Sequence, residues 1–364
     1  MKNNLSRKVA IIGIVGLPAN YGGFEIFTEF LVESLNSVFD ITVYCSKRSY
    51  PVRPTTYKGV RLRYCPVFQA NGVQSICYDI FCILDALRYA DSLLILGVGG
   101  CLILPFLRLF GCRKNIVVNI DGLEWRRNKW SKAAKWFLKF SEKCAVKYSD
   151  HVVGDNKVIA DYVEKEYNKN CALIEYGADH QFIQKPTAEL IAKYPFLTNS
   201  YAFSVCRIEP ENNVHLSLQA FSAVDRMPFV IVGNWHNSSF GKNLWEHYKN
   251  SPNIYMLNPI FDMEILNVLR SNAIMYIHGH SCGGTNPSLI EAMFLGLPVI
   301  TFNVNFNRET TEEQAFYYSS LTELCEIISA ISQTELNQNA IVMKNIANRR
   351  YTWARISKCY QELL

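Results

Sequence analysis

Residues 273–302 read AIMYIHGHSCGGTNPSLIEAMFLGLPVITF, and few folds accommodate such a stretch. Ala273–Ile277 is a short apolar run of the length and composition of a buried strand. A polar, glycine-bearing turn follows, from His278 to Asn286. Pro287 stands where a first helical residue would, a place that needs no N–H. Ser288–Leu295 has the length of a short helix, Gly296 ends it, and Pro298–Phe302 restarts a strand. Strand, glycine loop, helix, strand is the repeating unit of a parallel α/β sheet. Its loop presents backbone N–H groups at a positive helix end, which suits a phosphate. Gly283 and Gly284 let a ligand approach the backbone closely, with Thr285 and Asn286 beside them. Glu291 falls one turn into the helix, on the side of Pro287 and Ser288. A carboxylate there repels a phosphate but can accept hydrogen bonds from neighbouring sugar hydroxyls; the plainer alternative is a solvated glutamate on an ordinary turn.

The same stretch resembles the donor-binding segment of the GT-B glycosyltransferases of family 4. Glu291-Ala292-Met293 and Gly296-Leu297-Pro298-Val299-Ile300 match that family's pattern, in which two glutamates eight residues apart contact the donor. The first of the pair would fall at position 283, where this chain has Gly283. His278-Gly279-His280-Ser281 and Gly283-Gly284-Thr285-Asn286-Pro287-Ser288 resemble a narrower branch, the bacterial rhamnosyltransferase-like proteins of capsule and O-antigen clusters. The resemblance implies an α/β fold of GT-B type, two Rossmann-like domains facing each other across a cleft.

With 364 residues, about half of them apolar, the chain is long enough for two cores. Its net charge of +5 favours an anionic partner such as a nucleotide or a membrane surface, while no motif supports nucleic acid. The twelve cysteines include no C-x-x-C pair and lie in apolar segments, as expected of reduced thiols in a cytoplasmic protein. The opening residues MKNNLSRK run straight into a strand, so no secretory leader is expected. Ser92–Leu107 is uncharged but too short and too broken by glycine and proline to span a membrane.

In the first half, Lys8–Ile14 reads as a buried strand, followed by a loop through Gly22 and Gly23 and a helix from Phe24 to Asn36. The glycines do not follow G-x-G-x-x-G, which argues against a dinucleotide enzyme. Pro18-Ala19-Asn20-Tyr21-Gly22-Gly23-Phe24-Glu25 matches the opening loop of the rhamnosyltransferase-like branch. The resemblance implies donor contacts at Gly22 and Gly23 and acceptor contacts at Asn20, Tyr21, Phe24 and Glu25. Further strand–helix alternation through Gly154 predicts a parallel sheet with its ligand beyond the carboxyl ends of the strands. Asp121 and Glu124, in the run DGLEWRR, stand at such an end, as does Asp155. Each can take a proton from an acceptor hydroxyl or cap the helix that follows.

Lys132, Lys135, Lys139, Lys143 and Lys147 recur every three or four residues in 130–148, with Trp136, Phe137, Phe140 and Cys144 read as the opposite face. Such a helix can lie on an anionic membrane, or pack its aromatic face on the sheet with lysines in water. The family's acceptors are typically lipid-linked, which implies peripheral contact at the inner face of a bacterial plasma membrane.

The expected domains are 1–178 on the acceptor side, a linker over 179–199, 200–348 for the nucleotide sugar, and a helix over 349–364 returning to the first domain. In the second half, the strand Tyr201–Val205 precedes Arg207-Ile-Glu-Pro-Glu211-Asn-Asn213. The resemblance implies that Arg207 binds the donor diphosphate, with Glu211 in the same turn. The family's accompanying lysine falls at Asn212 or Asn213, leaving one cation where two neutralise a diphosphate better; Lys242 is a substitute by charge alone. A salt bridge from Arg207 to Glu209 or Glu211 is the structural alternative. The sequence has no Asp-x-Asp metal device. His278 and His280 alternate but bring no third ligand, so metal-independent phosphate binding is expected. The implied reaction is retaining transfer of a sugar, rhamnose from dTDP-rhamnose by the branch resemblance, to a lipid-linked or growing surface-polysaccharide acceptor. Another donor sugar, a GT-B sugar-nucleotide epimerase and a non-catalytic nucleotide-sugar-binding protein are the alternative readings.

Overall fold

The computed structural model describes residues 7–19, 22–66, 74–127 and 130–364. The chain divides into two compact units, one of residues 1–177 with 353–364 and one of residues 178–352. Each is built of alternating strands and helices. The first contains β1 (Lys8–Ile12), α1 (Gly23–Leu35), β2 (Asp40–Ser46), β3 (Thr56–Tyr57), β4 (Val60–Cys65), α2 (Gln74–Ala86), β5 (Ser92–Leu96), α3 (Leu104–Leu109), β6 (Asn115–Asn119), α4 (Lys132–Tyr148), β7 (His151–Gly154), α5 (Lys157–Tyr167) and β8 (Ala172–Leu173). The second contains α6 (Ala188–Lys193), β9 (Ala202–Val205), α7 (Val214–Ala223), β10 (Phe229–Val232), α8 (Ser239–Tyr248), β11 (Ile254–Leu257), α9 (Met263–Ser271), β12 (Met275–His278), α10 (Pro287–Leu295), β13 (Val299–Phe302), α11 (Asn305–Thr310), β14 (Phe316–Tyr318), α12 (Leu321–Ala330) and α13 (Gln333–Arg350). A last helix, α14 (Trp353–Leu363), belongs to the first unit.

The first sheet runs β3-β4-β2-β1-β5-β6-β7-β8, parallel except for the β3–β4 edge pair. Its strand order reverses direction between β1 and β5. The second sheet runs β11-β10-β9-β12-β13-β14, parallel throughout, and reverses between β9 and β12. The central strands are apolar on both faces because helices cover both, which is why they read as continuous runs such as KVAII and SLLIL. In open sheets of this kind the crevice beyond the strand carboxyl ends, at the point of reversal, is where ligands bind.

The opening stretch folds as its sequence requires. The Asn286 side chain accepts from Ser288 N–H and caps α10, Pro287 occupies its first position, and Gly296 closes it in the left-handed conformation. Other expectations are corrected. Residues 179–199 are no linker: Gln181, Phe196 and Leu197 are buried, Gln181 binds Arg270, and α6 forms within the segment. In the segment 349–364 the helix itself spans Trp353–Leu363, and residues 349–350 complete α13. Two further short helices are α8, capped by Ser238, and α11. Among the described residues no helix is long and apolar enough to cross a membrane.

The last helix completes the first core. Trp353 stacks on Phe30 at 4.8 Å, and Tyr360 packs on Phe27 at 5.3 Å. A Cβ on Gly177 would lie 2.4 Å from the Trp353 ring, so that position must stay a glycine. Ser92 and Asn115, at the amino ends of β5 and β6, donate to the carbonyls of Leu364 and Leu363. Removing the ring in Trp353→Ala is expected to cost the first unit about 3–5 kcal/mol, the usual range for a large buried aromatic. Loss of hydrogen-exchange protection in α1 and β5, with protection in the second unit unchanged, is the measurement that checks this.

Candidate functional site

In the second unit, the loops after β9 and β12 flank the point of strand reversal and are laced together. The Asn213 side chain donates to the Gly279 carbonyl at 2.9 Å, and both Ser281 N–H and its hydroxyl donate to the Glu211 carbonyl at 2.9 and 2.8 Å. The Asn212 side chain turns back to the Arg207 carbonyl at 2.6 Å. Gly279 lies so close to Asn212 that a Cβ would meet its carbonyl oxygen at 2.1 Å. Arg207 is thereby fixed by its backbone while its side chain stays exposed, and among the described residues it forms no ion pair with Glu209 or Glu211. Gly283 has a φ of +123° and open space around it, so its glycine serves the backbone path rather than a close neighbour. Gly284 adjoins it, and Thr285 is buried. The N-termini of α7 and α10 both open at this pair of loops.

Glu291 is placed differently from the expectation. It is buried, with one oxygen 2.8 Å from Arg270 and the other 3.3 Å from His180. Burial works against its charge, but the Arg270 guanidinium and the His180 imidazole outweigh it and hold the carboxyl below its ordinary range. Both oxygens are thus engaged within the unit, tying α10 to α9 and the 180–181 segment, rather than presented to sugar hydroxyls. His278 and His280 stack at 4.4 Å, and neither nitrogen of His278 has a partner among the described residues. Burial alone pushes the His278 imidazole down to about 3. Among the described residues no three His, Cys, Asp or Glu side chains are grouped to hold a metal.

In the first unit, the capping alternatives fall to other residues. Ser131 caps α4 and Asn156 caps α5. Asp121 and Asp155 follow the neighbouring parallel strands β6 and β7, and the charge of each acts on Tyr176. Tyr176 is buried, and burial together with the Asp155 and Asp121 carboxylates drives its hydroxyl well above the ordinary range. Asp121 sits in the left-handed region at φ +60°, its N–H held by the Asn119 side chain, which in turn donates to the Tyr360 hydroxyl at 2.9 Å. Glu124 does not join them. It accepts from the Trp130 indole at 3.2 Å and pairs with Arg127 at 2.7 Å, clamping its own loop.

Glu25 is likewise taken up by the fold. Its buried carboxylate accepts from Val15 N–H at 2.8 Å and from the N–H groups of Gly22 and Glu25 itself. Burial still raises its carboxyl above the ordinary range. The N-terminus of α1, expected to receive a donor phosphate at Gly22 and Gly23, therefore already carries the chain's own acid. Phe24 is half-buried, edge-on to Phe27. Asn20 and Tyr21 lie outside the described residues.

Sequence reasoning missed one cluster that supports the Asp121 loop. Glu142, buried on α4, accepts from the Trp125 indole at 2.9 Å and from the hydroxyls of Tyr162 and Tyr167 at 2.7 and 2.6 Å. Lys139 turns inward to Glu142, Glu166 and Tyr162, its ammonium over the rings of Trp125, Tyr162 and Tyr167. The available signal was Glu142 itself, the single acid among five lysines in 130–149.

Comparison with known proteins follows the same division. Residues 6–179 match a domain of unknown function (DUF1972), and residues 187–323 match the family model "Glycosyl transferases group 1". Among solved structures, a sucrose-phosphate synthase from Thermosynechococcus elongatus superposes with a TM-score of 0.79 at 16% identity, over 98% of each chain. HepE of Anabaena, solved in complex with UDP, gives 0.73 at 13% identity over 98% of this chain and 99% of that one. The trehalose-6-phosphate synthase OtsA gives 0.73 at 10% identity with the same coverage. No curated protein sequence matches the chain. The fold is that of the GT-B glycosyltransferases.

The His278 environment has a measurable consequence. The folded state holds this imidazole neutral, so below the unfolded value of about 6.5 the unfolded chain takes up a proton that the folded chain does not. Its contribution to stability is complete above that pH and declines as pH falls toward the folded value of about 3. In denaturant titrations across pH 7 to 4.5, His278→Leu is expected to show a shallower loss of stability than the parent. Equal slopes would refute the assignment.

Proposed function

We propose that this protein transfers a sugar from a nucleoside-diphosphate sugar to a hydroxyl acceptor. The observation that carries the reading is the pair of laced loops at the strand reversal of the second unit, inside the segment matching a glycosyltransferase family, with the Arg207 guanidinium exposed above them. The donor diphosphate takes Arg207 and the backbone N–H groups at the starts of α7 and α10, with Gly283, Gly284, Thr285 and Asn286 as its other neighbours. Glu211 contributes its carbonyl to the lacing. Asp121 and Asp155 form the acceptor-side pair, with Phe24 near the same unit's opening loop.

In the retaining reaction the bond from the anomeric carbon to the phosphate oxygen breaks as the bond to the acceptor oxygen forms on the same face. The acceptor proton passes to the departing phosphate, so no metal or external base is consumed. Arg207 and the helix ends stabilise the charge that grows on that phosphate. Asp121 orients the acceptor hydroxyl, and the buried Tyr176–Asp155 contact holds the pair in place. The loop resemblance at 16–25 and 278–288 favours rhamnose from dTDP-rhamnose. The solved neighbours named with UDP and UDP-glucose make uridine sugars the chief competing donors. The acceptor of this reading is a lipid-linked or growing surface polysaccharide, met at the cytoplasmic face of a membrane that the protein contacts peripherally through residues 130–148.

A thermal-shift series of thymidine, uridine and guanosine diphosphates and their sugars, with and without chelator, tests this. A true donor raises the midpoint with concentration. A chelator-insensitive shift with dTDP-rhamnose is expected, lost in Arg207→Ala and kept in Asp121→Asn. The latter should lower transfer to a polyprenyl-linked saccharide by about a hundredfold. A shift with uridine sugars alone would discard rhamnose. A folded sample that shifts with no nucleotide would overturn the transferase reading.

A further inference from the structure

The outward face of α4 is not the lysine stripe that its sequence leads one to expect. Lys139 is turned inward, and the residues facing solvent are Lys132, Ala133, Trp136, Phe140, Lys143 and Lys147. Trp136, 71% exposed, lies parallel to Phe140 at 5.8 Å with both rings in water. The neighbouring helix carries further exposed apolar side chains. α3 packs beside α4, and Arg108 joins them by donating to the Tyr148 carbonyl at 2.9 Å. On its outer side are Phe106, Leu109 and Phe110, the last two 78% and 84% exposed. Five large apolar side chains on two adjoining helices thus stand in solvent, whereas apolar side chains on a soluble surface are usually scattered singly.

The unpaired charge on these two helices is positive, while Glu166 of the adjoining α5 is taken up by Lys139. Residues 101–119 contain Arg108, Arg113 and Lys114 and no acid, and residues 130–149 contain five lysines and one acid, Glu142, which is buried. The nearby exposed Asp150 is neutralised by Arg108 at 2.5 Å. Aromatic rings ringed by outward cations fit a bilayer bearing anionic headgroups. The rings reach the acyl boundary, indole and phenyl side chains being favoured at that depth, and the lysines meet the phosphates. Among the described residues the exposed Lys132, Lys143 and Lys147 form no ion pair, which leaves them for headgroup phosphates.

We propose that the α3–α4 face is a docking surface for an anionic phospholipid bilayer, made by Phe106, Leu109, Phe110, Trp136 and Phe140 with Lys132, Lys143 and Lys147 at its rim. This deepens the transferase reading above, on which it rests for the reason a membrane is needed; the surface itself stands without it. Because α4 begins directly after the Asp121 loop, docking brings the carboxyl edge of the first sheet close to the headgroups, where a lipid-linked hydroxyl would be.

The test is co-sedimentation of the full chain with vesicles of phosphatidylglycerol mixed with phosphatidylcholine, against phosphatidylcholine alone and at raised salt. Binding to the anionic vesicles, with a blue shift of tryptophan emission, is expected. Trp136→Ala/Phe140→Ala should weaken it by about tenfold or more. Lys143→Gln/Lys147→Gln should weaken it too, and reduce its salt dependence. Since all four side chains are exposed, the variants should keep the parent's circular dichroism and nucleotide-induced thermal shift, so a failure of docking is separable from a failure of donor binding. No binding to anionic vesicles, or binding that neither double variant changes, overturns the proposal. A parent that is dimeric by light scattering and becomes monomeric in Trp136→Ala/Phe140→Ala overturns it as well, and assigns the face to a second copy of the chain.

Discussion

Backbone polar groups leaving the carboxyl end of a parallel sheet have no ladder to join, and a buried one left alone is costly. This chain meets that constraint with short polar side chains reaching from one loop to the next. Asn213 and Ser281 lace the two loops of the second unit, Asn234 holds Ile208 N–H at 2.7 Å, and Asn286 caps α10. In the first unit Asn119 holds Asp121 and Glu25 holds Val15. Most of the loop residues that sequence alone marks as ligand contacts are therefore occupied in making the loops. The Arg207 side chain and the two helix starts beside it are left outside this lacing.

The carboxylates show how one residue type divides among roles by environment. Glu25 and Glu291 are both buried, yet their acidities move in opposite directions. Glu25 has only backbone donors, and burial prevails; Glu291 has a guanidinium 2.8 Å away, and the charge is kept. An ion pair this deep is a weak source of net stability, since desolvation cancels much of the attraction. Its effect is to fix position: Glu291 binds the helix after the glycine loop to α9, so the loop's path is set by the core beneath it. Asp121 is fixed by its backbone, with a left-handed φ of +60° and its N–H held by the Asn119 side chain.

The strand–helix alternation, and with it both sheets, was legible because apolar runs of four or five residues between helical patterns admit few alternatives. The pairing of Asp121 with Asp155 was half legible, since each was placed at a strand end but the shared Tyr176 is distant in sequence. The partners of Glu291, on α9 and in the 180–181 segment, were not legible, because periodicity reports which side of a helix a residue occupies and is silent on whether a partner from another element waits there. The helix 132–148 failed in a more specific way. Five lysines at helical spacing read as one solvated face, but Lys139 points into Glu142 and three aromatic rings, and the rotation that this requires turns Trp136 and Phe140 outward. A single acid among the lysines carried the information, and pattern counting averages it away.

The two departures from the family pattern look different once the backbone is known. Position 283 has a φ of +123°, a conformation side chains other than glycine rarely adopt. A glutamate there would require a different loop path, so the missing donor contact belongs to the shape of this loop rather than to one exchanged residue. The lysine's place is similar. The Asn212 and Asn213 amides satisfy the carbonyls of Arg207 and Gly279, and an ammonium on a long flexible stem would reproduce neither bond at that reach. Both positions have been given to holding the two loops together. On the reading proposed above, the chain has one mobile cation fewer to neutralise a diphosphate, and its loops are held by hydrogen bonds within the chain. Preorganised dipoles need no reorganisation when charge develops, so a site of this construction depends more on backbone geometry, and less on counter-charge, than the family pattern would imply.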